Sequence, residues 1–378
     1  MKIRQFELER WQSVWEHRVA INISESGVKP LTLHELIQDN DALQELLATP
    51  LGYPQTNGSE LTRARVADLY PGAGVDNVLM TSGCSEANFL ILWALVERGD
   101  EVVFMQPNYL QVAGVAEALG AAVKPLWLRE DLRWRFDPGE LRLLITNRTK
   151  LIAVCNPNNP TGAVLPEEAI DALCHRAAEV GAWILADEVY RGAEIEGPLT
   201  PSFWGRHERV LATGGLSKAY SLPGLRTGWI VGPTDMIGRL WGYHDYTSIA
   251  PSMLSDRLSA IGLERNVRKR IRGRVQKILR ENLPAVQAFV AKQGLRMIPP
   301  AAGAIAWIGY DFDCTSERLC DELRRTKNVL IVPGSQLGME HFVRIGFGGE
   351  LASLEEGLAL IDEFLAESPQ REAARVTT

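Results

Sequence analysis

Residues 151–187 read LIAVCNPNNPTGAVLPEEAIDALCHRAAEVGAWILAD. The stretch begins with an apolar run at 151–155 and ends with a second one at 183–186. Between them, residues 166–179 have apolar side chains at helical spacing. A strand, a helix and a second strand in this order form a βαβ unit, in which the two strands are parallel. The stretch therefore predicts an α/β fold.

The same alternation of strands and helices continues on both sides of this unit. Further strands are predicted at 101–105, 122–127, 210–213 and 228–231, and further helices at 86–98 and 110–119. We expect a large domain with a mainly parallel, seven-stranded-type sheet that is covered by helices. Functional residues of such sheets lie beyond the carboxyl ends of the strands. The loops that follow the predicted strands are therefore the places to look for a site.

The pattern changes after residue 255. Residues 256–293 form one long, charged, amphipathic stretch that Pro284 interrupts. Beyond it, extended segments alternate with two predicted helices, at 316–325 and 354–365. We expect a smaller α+β domain that is formed by the N- and C-terminal segments. The expected divisions are an N-terminal arm with part of the small domain at 1–45, a large cofactor-binding domain at 46–255, an interdomain helix region at 256–293, a small C-terminal domain at 294–368 and a disordered tail at 369–378.

Composition excludes several classes of function. The chain has 378 residues, 40 basic and 47 acidic, with a net charge of -7, which argues against a nucleic-acid partner. The basic cluster at 265–280 has helical spacing and is interpreted as the solvent face of a helix. Five cysteines without C-x-x-C spacing favour a reduced, cytoplasmic setting, and no apolar run is long enough for a membrane span. Six histidines without paired spacing predict no metal site.

A lysine follows the predicted strand at 210–213. The segment reads Thr213-Gly-Gly-Leu-Ser-Lys218 and continues to Arg226. Burial lowers the pKa of a lysine and suits it to form a Schiff base with an aldehyde. The Gly and Ser backbone groups, together with Arg226, could bind a phosphate. A surface turn with a solvated lysine and arginine explains this segment, taken alone, equally well.

Asp187 ends the predicted strand at 183–186, in the segment Ala186-Asp187-Glu188-Val189-Tyr190. A carboxylate at the end of a buried strand is costly unless it meets a cation or a donor. A protonated pyridine nitrogen would satisfy Asp187, and Tyr190 could donate to an oxygen on the same ring. The alternative is an aspartate that caps the next turn.

Two more turns follow predicted strands or precede helices. The turn at 156–162, NPNNPTG, is rich in turn-forming residues and presents side-chain amides. The turn at 81–85, TSGCS, leads into the predicted helix at 86–98, whose N-terminus suits an anion. A purely structural turn and N-capping of the helix by Ser85 are the respective alternatives.

Together, these segments resemble the fold-type I pyridoxal 5′-phosphate enzymes, that is, the class I and II aminotransferases of the aspartate aminotransferase superfamily. The resemblance covers residues 21–365 and rests on N-P-x-N-P-T-G, A-D-E-V-Y, L-S-K and G-L-R-T-G-W in this order. It implies that Lys218 forms the Schiff base with the cofactor and moves a substrate proton. It also implies that Asp187 pairs with the pyridine nitrogen, and that Tyr190 and Asn159 bind the ring hydroxyl oxygen.

The resemblance implies roles for further residues. Tyr109 would stack on the ring, and the phosphate would be held by a group of residues: Gly83, Cys84, Ser85, Ser217 and Arg226. Arg344 would bind the substrate carboxylate, with Asn159, Ser26 and Gly27 also on the substrate side. Tyr53 would reach the phosphate of a partner subunit, which implies a homodimer with shared active sites. Amino acids and 2-oxo acids would be the substrates.

Two departures from the family pattern stand out. Gly215 occupies the place of a serine that often binds the phosphate, and Thr213 or Ser85 could replace its hydroxyl. Residues 24–27, Ser-Glu-Ser-Gly, replace a glycine-rich segment that approaches the substrate. This variant resembles the capreomycidine synthase-like branch, whose reaction is elimination and cyclisation.

Three functions follow, in decreasing order of preference. The first is an aminotransferase, the second is a pyridoxal-phosphate-dependent lyase or cyclase, and the third is a non-catalytic ligand-sensing domain. Sensors of the third kind carry a DNA-binding module ahead of the domain, and the resemblance begins at Ile21, which leaves no room for one. The sequence leaves the amino donor and acceptor open.

Overall fold

Residues 2–367 are described by the computed structural model and contain twelve strands and thirteen α-helices. The strands are β1 (Ile21–Asn22), β2 (Val78–Thr81), β3 (Glu101–Gln106), β4 (Ala122–Trp127), β5 (Thr149–Cys155), β6 (Trp183–Asp187), β7 (Val210–Gly215), β8 (Gly228–Val231), β9 (Ile305–Gly309), β10 (Val329–Leu330), β11 (Val332–Pro333) and β12 (Phe342–Gly346). The helices are α1 (Glu7–Trp15), α2 (Leu33–Leu36), α3 (Asn40–Leu47), α4 (Glu60–Ala67), α5 (Cys84–Leu95), α6 (Gln111–Leu119), α7 (Pro138–Leu144), α8 (Glu167–Val180), α9 (Thr234–His244), α10 (Met253–Leu263), α11 (Arg265–Gln293), α12 (Ser316–Lys327) and α13 (Leu351–Glu367).

The central sheet has seven strands in the order β2-β8-β7-β6-β5-β3-β4. Neighbours from β4 to β7 pair in parallel, while β8 runs antiparallel to both β7 and β2. Strands β6 and β7 are almost entirely buried because helices cover both faces of the sheet, and this explains their continuous apolar sequences. The predicted mainly parallel, seven-stranded sheet is confirmed.

The two ends of the chain meet in smaller sheets. Strand β1 pairs in parallel with β10, with Ile21 opposite Val329, and β11, β12 and β9 form an antiparallel sheet. Helices α12 and α13 pack beside these strands. The smaller α+β part that was predicted from both terminal segments is therefore confirmed.

The stretch 256–293 is not one helix interrupted at Pro284. Helix α10 ends at Leu263, and α11 begins at Arg265 because the Glu264 carboxylate accepts the backbone N–H groups of Asn266 and Val267, at 2.9 and 3.1 Å. Helix α11 then continues through Pro284, where buried residues on both sides keep the helix packed. These residues are Ile271, Val275, Leu279, Val286, Phe289 and Val290.

Two other expectations concern the limits of the chain and the membrane. The predicted tail at 369–378 lies outside the described residues. Within residues 2–367, no helix is both long enough and apolar enough to cross a membrane.

Candidate active site

A cavity of about 410 Å³ lies beyond the carboxyl ends of β5, β6 and β7. Parallel strands bring their carboxyl ends to one edge of the sheet, so the loops that follow them meet there. Asp187 is the last residue of β6, Asn159 and Lys218 come from the loops after β5 and β7, and all three line the cavity. Arg344 of β12 joins them from the smaller sheet.

Asp187 lies at the cavity wall and is held by neutral donors. Its Oδ2 accepts from Asn88 Nδ2 at 3.0 Å, and its Oδ1 accepts from the Val189 backbone at 3.1 Å and from Cys84 Sγ at 3.5 Å. Burial raises the pKa of Asp187, while the bond from Asn88 lowers it. Within residues 2–367 the carboxylate has no ion pair, which leaves room for a cationic group of a ligand.

Lys218 reaches the cavity from the turn after β7. Its Nζ donates to Ser26 Oγ at 2.8 Å. Burial lowers the pKa of Lys218, and the negative charge of Glu25 acts in the opposite direction. Burial therefore favours the neutral amine, which is the form that attacks a carbonyl.

Arg344 is a buried cation without a carboxylate partner among the described residues. Its side chain is 1% exposed, Nη1 donates to Asn159 Oδ1 at 3.0 Å and Nη2 donates to the Ser24 carbonyl at 2.8 Å. Nε has no hydrogen-bond partner in the described part of the chain, and burial lowers the pKa of the guanidinium. A buried guanidinium held only by neutral acceptors is suited to bind a ligand carboxylate.

An anion cradle is formed where α5 begins. Gly83 has φ +82° and is the N-cap, so the alternative of a cap at Ser85 is wrong and Ser85 belongs to the first helical turn. A Cβ at Gly83 would lie 2.6 Å from Arg226 Nη2, which shows how closely this guanidinium covers the turn. Arg226 Nη1 also lies 3.3 Å from Ser217 Oγ. Helix-terminal N–H groups and a guanidinium converge here, as an anion site requires.

Cys84 and Thr213 point away from this cradle. The thiol of Cys84 lies 3.3 Å from Thr213 Oγ1 and 3.5 Å from Asp187, and Thr213 Oγ1 donates to Asn88 Oδ1 at 3.0 Å. Only the backbone of Cys84 is therefore available to an anion. Thr213 does not line the cavity, whereas Ser85 does, so only Ser85 could replace the hydroxyl that is missing at Gly215.

Tyr190, Tyr109 and the segment Ser26-Gly27 are further residues that were predicted to belong to the site. Tyr190 is buried, and burial raises its pKa, while Arg344 and a hydrogen bond with Ser26 lower it. Tyr109 OH donates to Glu9 Oε1 at 2.6 Å, and both residues line the cavity. Gly27 places its Cα beside Lys218, since a Cβ there would lie 3.8 Å from Lys218 Cδ.

Tyr53 lies outside the cavity. Its side chain is 87% exposed, and it is not among the residues that line the site. Its proposed contact with a partner subunit stays a prediction.

The turn at 156–162 combines a structural and a ligand-facing part. Asn156 Oδ1 accepts from the Leu165 backbone at 2.9 Å, and Asn158 bonds the Pro107 carbonyl and Thr161, so both amides brace the loop. Only Asn159 presents its amide to the cavity.

Sequence reasoning missed an entire wall of the cavity. Helix α1 places Glu9, Gln12 and Glu16 there, and Glu25 faces the same space from the segment after β1. Gln12 Nε2 donates to the Ser24 carbonyl at 3.2 Å and so joins α1 to the segment that holds Arg344. No motif marks α1, because its packing across the site depends on contacts far away in sequence.

Gly346 explains how the backbone of residues 23–25 comes close to the end of β12. A Cβ at Gly346 would lie 1.8 Å from the Glu25 carbonyl, and the Gly346 N–H donates to the Ile23 carbonyl at 2.7 Å. Only glycine allows the two backbones to lie this close, so Gly346 serves packing against the 23–25 segment.

Comparisons with known proteins agree with this geometry. Residues 21–361 match the family described as aminotransferase class I and II, and the chain belongs to this family. Capreomycidine synthase of Streptomyces vinaceus is 34% identical over 363 residues, which are 95% of this chain and 93% of that protein. A PLP-dependent aminotransferase from Streptococcus suis 89-1591 superposes with a TM-score of 0.91 at 34% identity, covering 97% of this chain and 98% of that one. The PLP-dependent cyclase OrfR superposes with a TM-score of 0.88 at 29% identity, again over 97% and 98% of the two chains.

The cofactor of this family is pyridoxal 5′-phosphate, and the residues present fit it. Asp187 faces the cavity with a carboxylate that has no ion pair within residues 2–367, an anion cradle lies at Gly83 and Arg226, and the Lys218 amine is in the same space. A pyridinium nitrogen, a phosphate and an aldehyde are the three groups that such residues bind.

Proposed function

We propose that this chain is an aminotransferase that takes its amino group from an amino acid with a cationic side chain. The observation that carries the proposal is that one cavity holds the Lys218 amine, the Arg344 guanidinium and three glutamates. The three features match the α-amino end, the α-carboxylate and a distal positive charge of one substrate.

When bound, pyridoxal 5′-phosphate supplies an aldehyde carbon and a conjugated ring that accepts the electron pair left by a departing substrate proton. Asp187 would face the ring nitrogen and keep it protonated. Tyr190 and Asn159 would donate to the ring hydroxyl oxygen, and Tyr109 would lie against the ring face. The N-terminus of α5, with Ser217 and Arg226, would hold the phosphate.

Lys218 is placed to move the substrate proton. Its amine is held toward Ser26 at 2.8 Å, and burial favours the neutral form that can accept a proton from Cα. Arg344 would bind the α-carboxylate in a two-pronged contact, and Asn159 and the Ser24 carbonyl fix the plane of its guanidinium. A fixed carboxylate orients the Cα–H bond toward Lys218, which is how the site would choose the bond to break.

The acidic wall favours a cationic substrate side chain. Burial raises the pKa of Glu16, and the charge of neighbouring Glu25 raises it further. Two carboxylates that repel one another inside a cavity are stabilised when a cation lies between them. Glu9 adds a third carboxylate, although it also accepts from Tyr109. A guanidinium or ammonium group at the end of the substrate would satisfy this wall.

The test is a substrate panel with a 2-oxo acid acceptor. We expect L-arginine and L-lysine to be better donors than L-aspartate or L-phenylalanine, and Lys218→Ala to abolish turnover. Glu25→Gln should raise the KM for L-arginine about tenfold, as expected for the loss of one charge-assisted contact, and should leave that for L-alanine unchanged. Glu45→Gln, on the exposed face of α3, is the control. A preference for L-aspartate would contradict the cationic substrate, and activity in Lys218→Ala would contradict the enzyme mechanism itself.

Cyclisation or elimination is the second candidate function. It is favoured by the similarity to capreomycidine synthase over 95% of the chain and to the cyclase OrfR. Removal of the Cα proton by Lys218 serves this reaction as well as transamination. A cyclase or lyase turns over without a 2-oxo acid, whereas an aminotransferase stops after one equivalent of substrate, so product yield per site without an acceptor distinguishes the two.

We also propose a homodimer in which Tyr53 reaches the partner's phosphate cradle. Tyr53 is exposed, and so are the large apolar side chains of Leu47 and Leu51, which lie close to it in the sequence. A mixture of Tyr53→Phe and Lys218→Ala proteins tests the arrangement, because one site of each mixed dimer then has both native residues. At limiting cofactor, the mixture should be more active than the sum of its parts, and simple additivity would contradict shared sites.

A further inference from the structure

A second cavity, of about 310 Å³, lies on the far side of the segment that carries Lys218. The end of α4, the first two turns of α11 and the turn after Tyr190 enclose it. Its charged lining residues are Asp68, Arg191, Arg265, Arg268, Lys269 and Arg272. Five cations thus share this space with one carboxylate.

The cations on α11 lie on one face of the helix. Arg265, Arg268, Lys269 and Arg272 are spaced by three and four residues, so their like charges lie side by side. The sequence led us to interpret this cluster as a solvent face, and Arg265 and Lys269 are exposed, while all four residues also line the cavity. Grouping like charges in a concave space costs free energy unless counter-charges are present.

The acidic side chains nearby neutralise only part of this charge. Asp68 is shared by Arg265 at 2.6 Å and Arg268 at 3.2 Å, and Glu194 pairs with Arg272 at 3.1 Å. Among the residues that the structure describes, the side chain of Lys269 makes neither a hydrogen bond nor an ion pair.

Arg191, the fifth cation, has a weaker partner. Its Nε lies 3.9 Å from Glu188 Oε2, and its guanidinium lies 5.4 Å from the centre of the Tyr70 ring. Above about pH 7, where Glu188 is ionised, counting Asp68, Glu188 and Glu194 against the five cations leaves an excess of two positive charges.

We propose that this cavity binds a small phosphate-type anion with at least two negative charges. The excess charge matches a dianion, guanidinium groups bind phosphate oxygens in pairs, and the volume is that of a small-molecule site. The site is separate from the cofactor cradle, which lies at the N-terminus of α5.

The position of the cavity connects it to the active site. Ala219 and Tyr220, which follow Lys218 directly, line it, as do Arg191 and Gly192, which follow Tyr190. An anion bound here would contact the two chain segments that carry Lys218 and Tyr190. It is therefore placed to act as an effector of catalysis.

The experiment is calorimetric titration of the cofactor-loaded enzyme with inorganic pyrophosphate at constant ionic strength. We expect one saturable site per chain and about tenfold weaker binding in Lys269→Ala, the loss expected for one charge-assisted contact. Lys277→Ala is the matched control, because Lys277 lies on the same helix, is exposed and is outside the cavity.

Three results would overturn the proposal. The first is no saturable binding at millimolar pyrophosphate, and the second is equal weakening by Lys269→Ala and Lys277→Ala. The third is a loss of the visible absorbance of the bound cofactor in step with pyrophosphate binding, which would place the anion in the cofactor's own cradle.

Discussion

Glu188 is a buried carboxyl group whose ionisation should make the protein less stable as the pH rises. Its Oε1 accepts from Ser202 Oγ at 2.8 Å and from the Phe203 backbone at 2.9 Å, but its Oε2 has no hydrogen bond. Burial raises the pKa of Glu188 from 4.5 to about 7, although the charge of Arg191 opposes the rise. The folded protein therefore keeps a proton that the unfolded chain releases between these two values.

The sign and size of the effect follow from this difference in proton binding. Because the folded state binds more protons in this window, the contribution of Glu188 to stability is largest below pH 4.5 and falls as the pH rises to about 7. The difference between the two pKa values corresponds to a loss of about 3 kcal/mol. For a chain of this length the loss amounts to about 4 °C in the midpoint of thermal unfolding.

Glu188→Gln removes the ionisation and keeps an acceptor for Ser202 and Phe203. Relative to the wild type, this variant should gain about 3 °C when the pH is raised from about 5 to about 8, a window that covers most of the change. Calorimetry or circular dichroism of the apoprotein across this range measures the difference, with the exposed Glu168→Gln on α8 as the control. Parallel unfolding curves for Glu188→Gln and the wild type would refute the reasoning.

Further predictions concern three residues, Gly83, Glu86 and Arg344. Gly83→Ala should weaken pyridoxal phosphate binding at least about tenfold, because its Cβ would meet Arg226 in a backbone conformation with φ +82°; unchanged affinity in a cofactor titration would contradict this. Glu86→Gln should also weaken cofactor binding, since the Glu86 carboxylate accepts the Ser82 N–H at 2.5 Å and so shapes the turn. The pKa of Glu86 is lowered to about 2, so its stabilising effect should be present above pH 4.5 and be lost as the pH falls toward 2, a profile that thermal unfolding can check. Arg344→Lys should lower kcat/KM about 10- to 100-fold through loss of the two-pronged carboxylate contact, as steady-state kinetics would show; an unchanged value would remove Arg344 from substrate binding.

Much of the large domain could be predicted from the sequence because its strands are buried on both faces. Continuous apolar runs at β3, β5, β6 and β7 reflect that burial directly, and the residues after them face one edge of the sheet. Strand β2 was missed because it runs straight into the turn before α5. Its pairing with β8 depends on a partner about 150 residues away.

The residues of the candidate site also fall into two groups, those that the sequence could place and those that only the structure reveals. Lys218, Asp187 and Asn159 follow strands, so local sequence places each of them at the carboxyl edge, and the structure brings them together in one cavity. Asn88 carries no such signal. It bonds Asp187 only because α5 packs against the sheet, and its role is visible only in the structure.

The sequence by itself determined the α/β architecture, the order of the ligand-facing loops and the family, because short-range patterns of burial and turn chemistry encode them. Tertiary structure alone decided which side chains share a space. Helix α1 lies against the cavity and brings Glu9 and Glu16 there, and α11 brings the exposed Lys269 to the rim of a second cavity that it shares with Arg191. The net charge of a cavity depends on side chains from segments that are far apart in the chain, so no local sequence pattern predicts it.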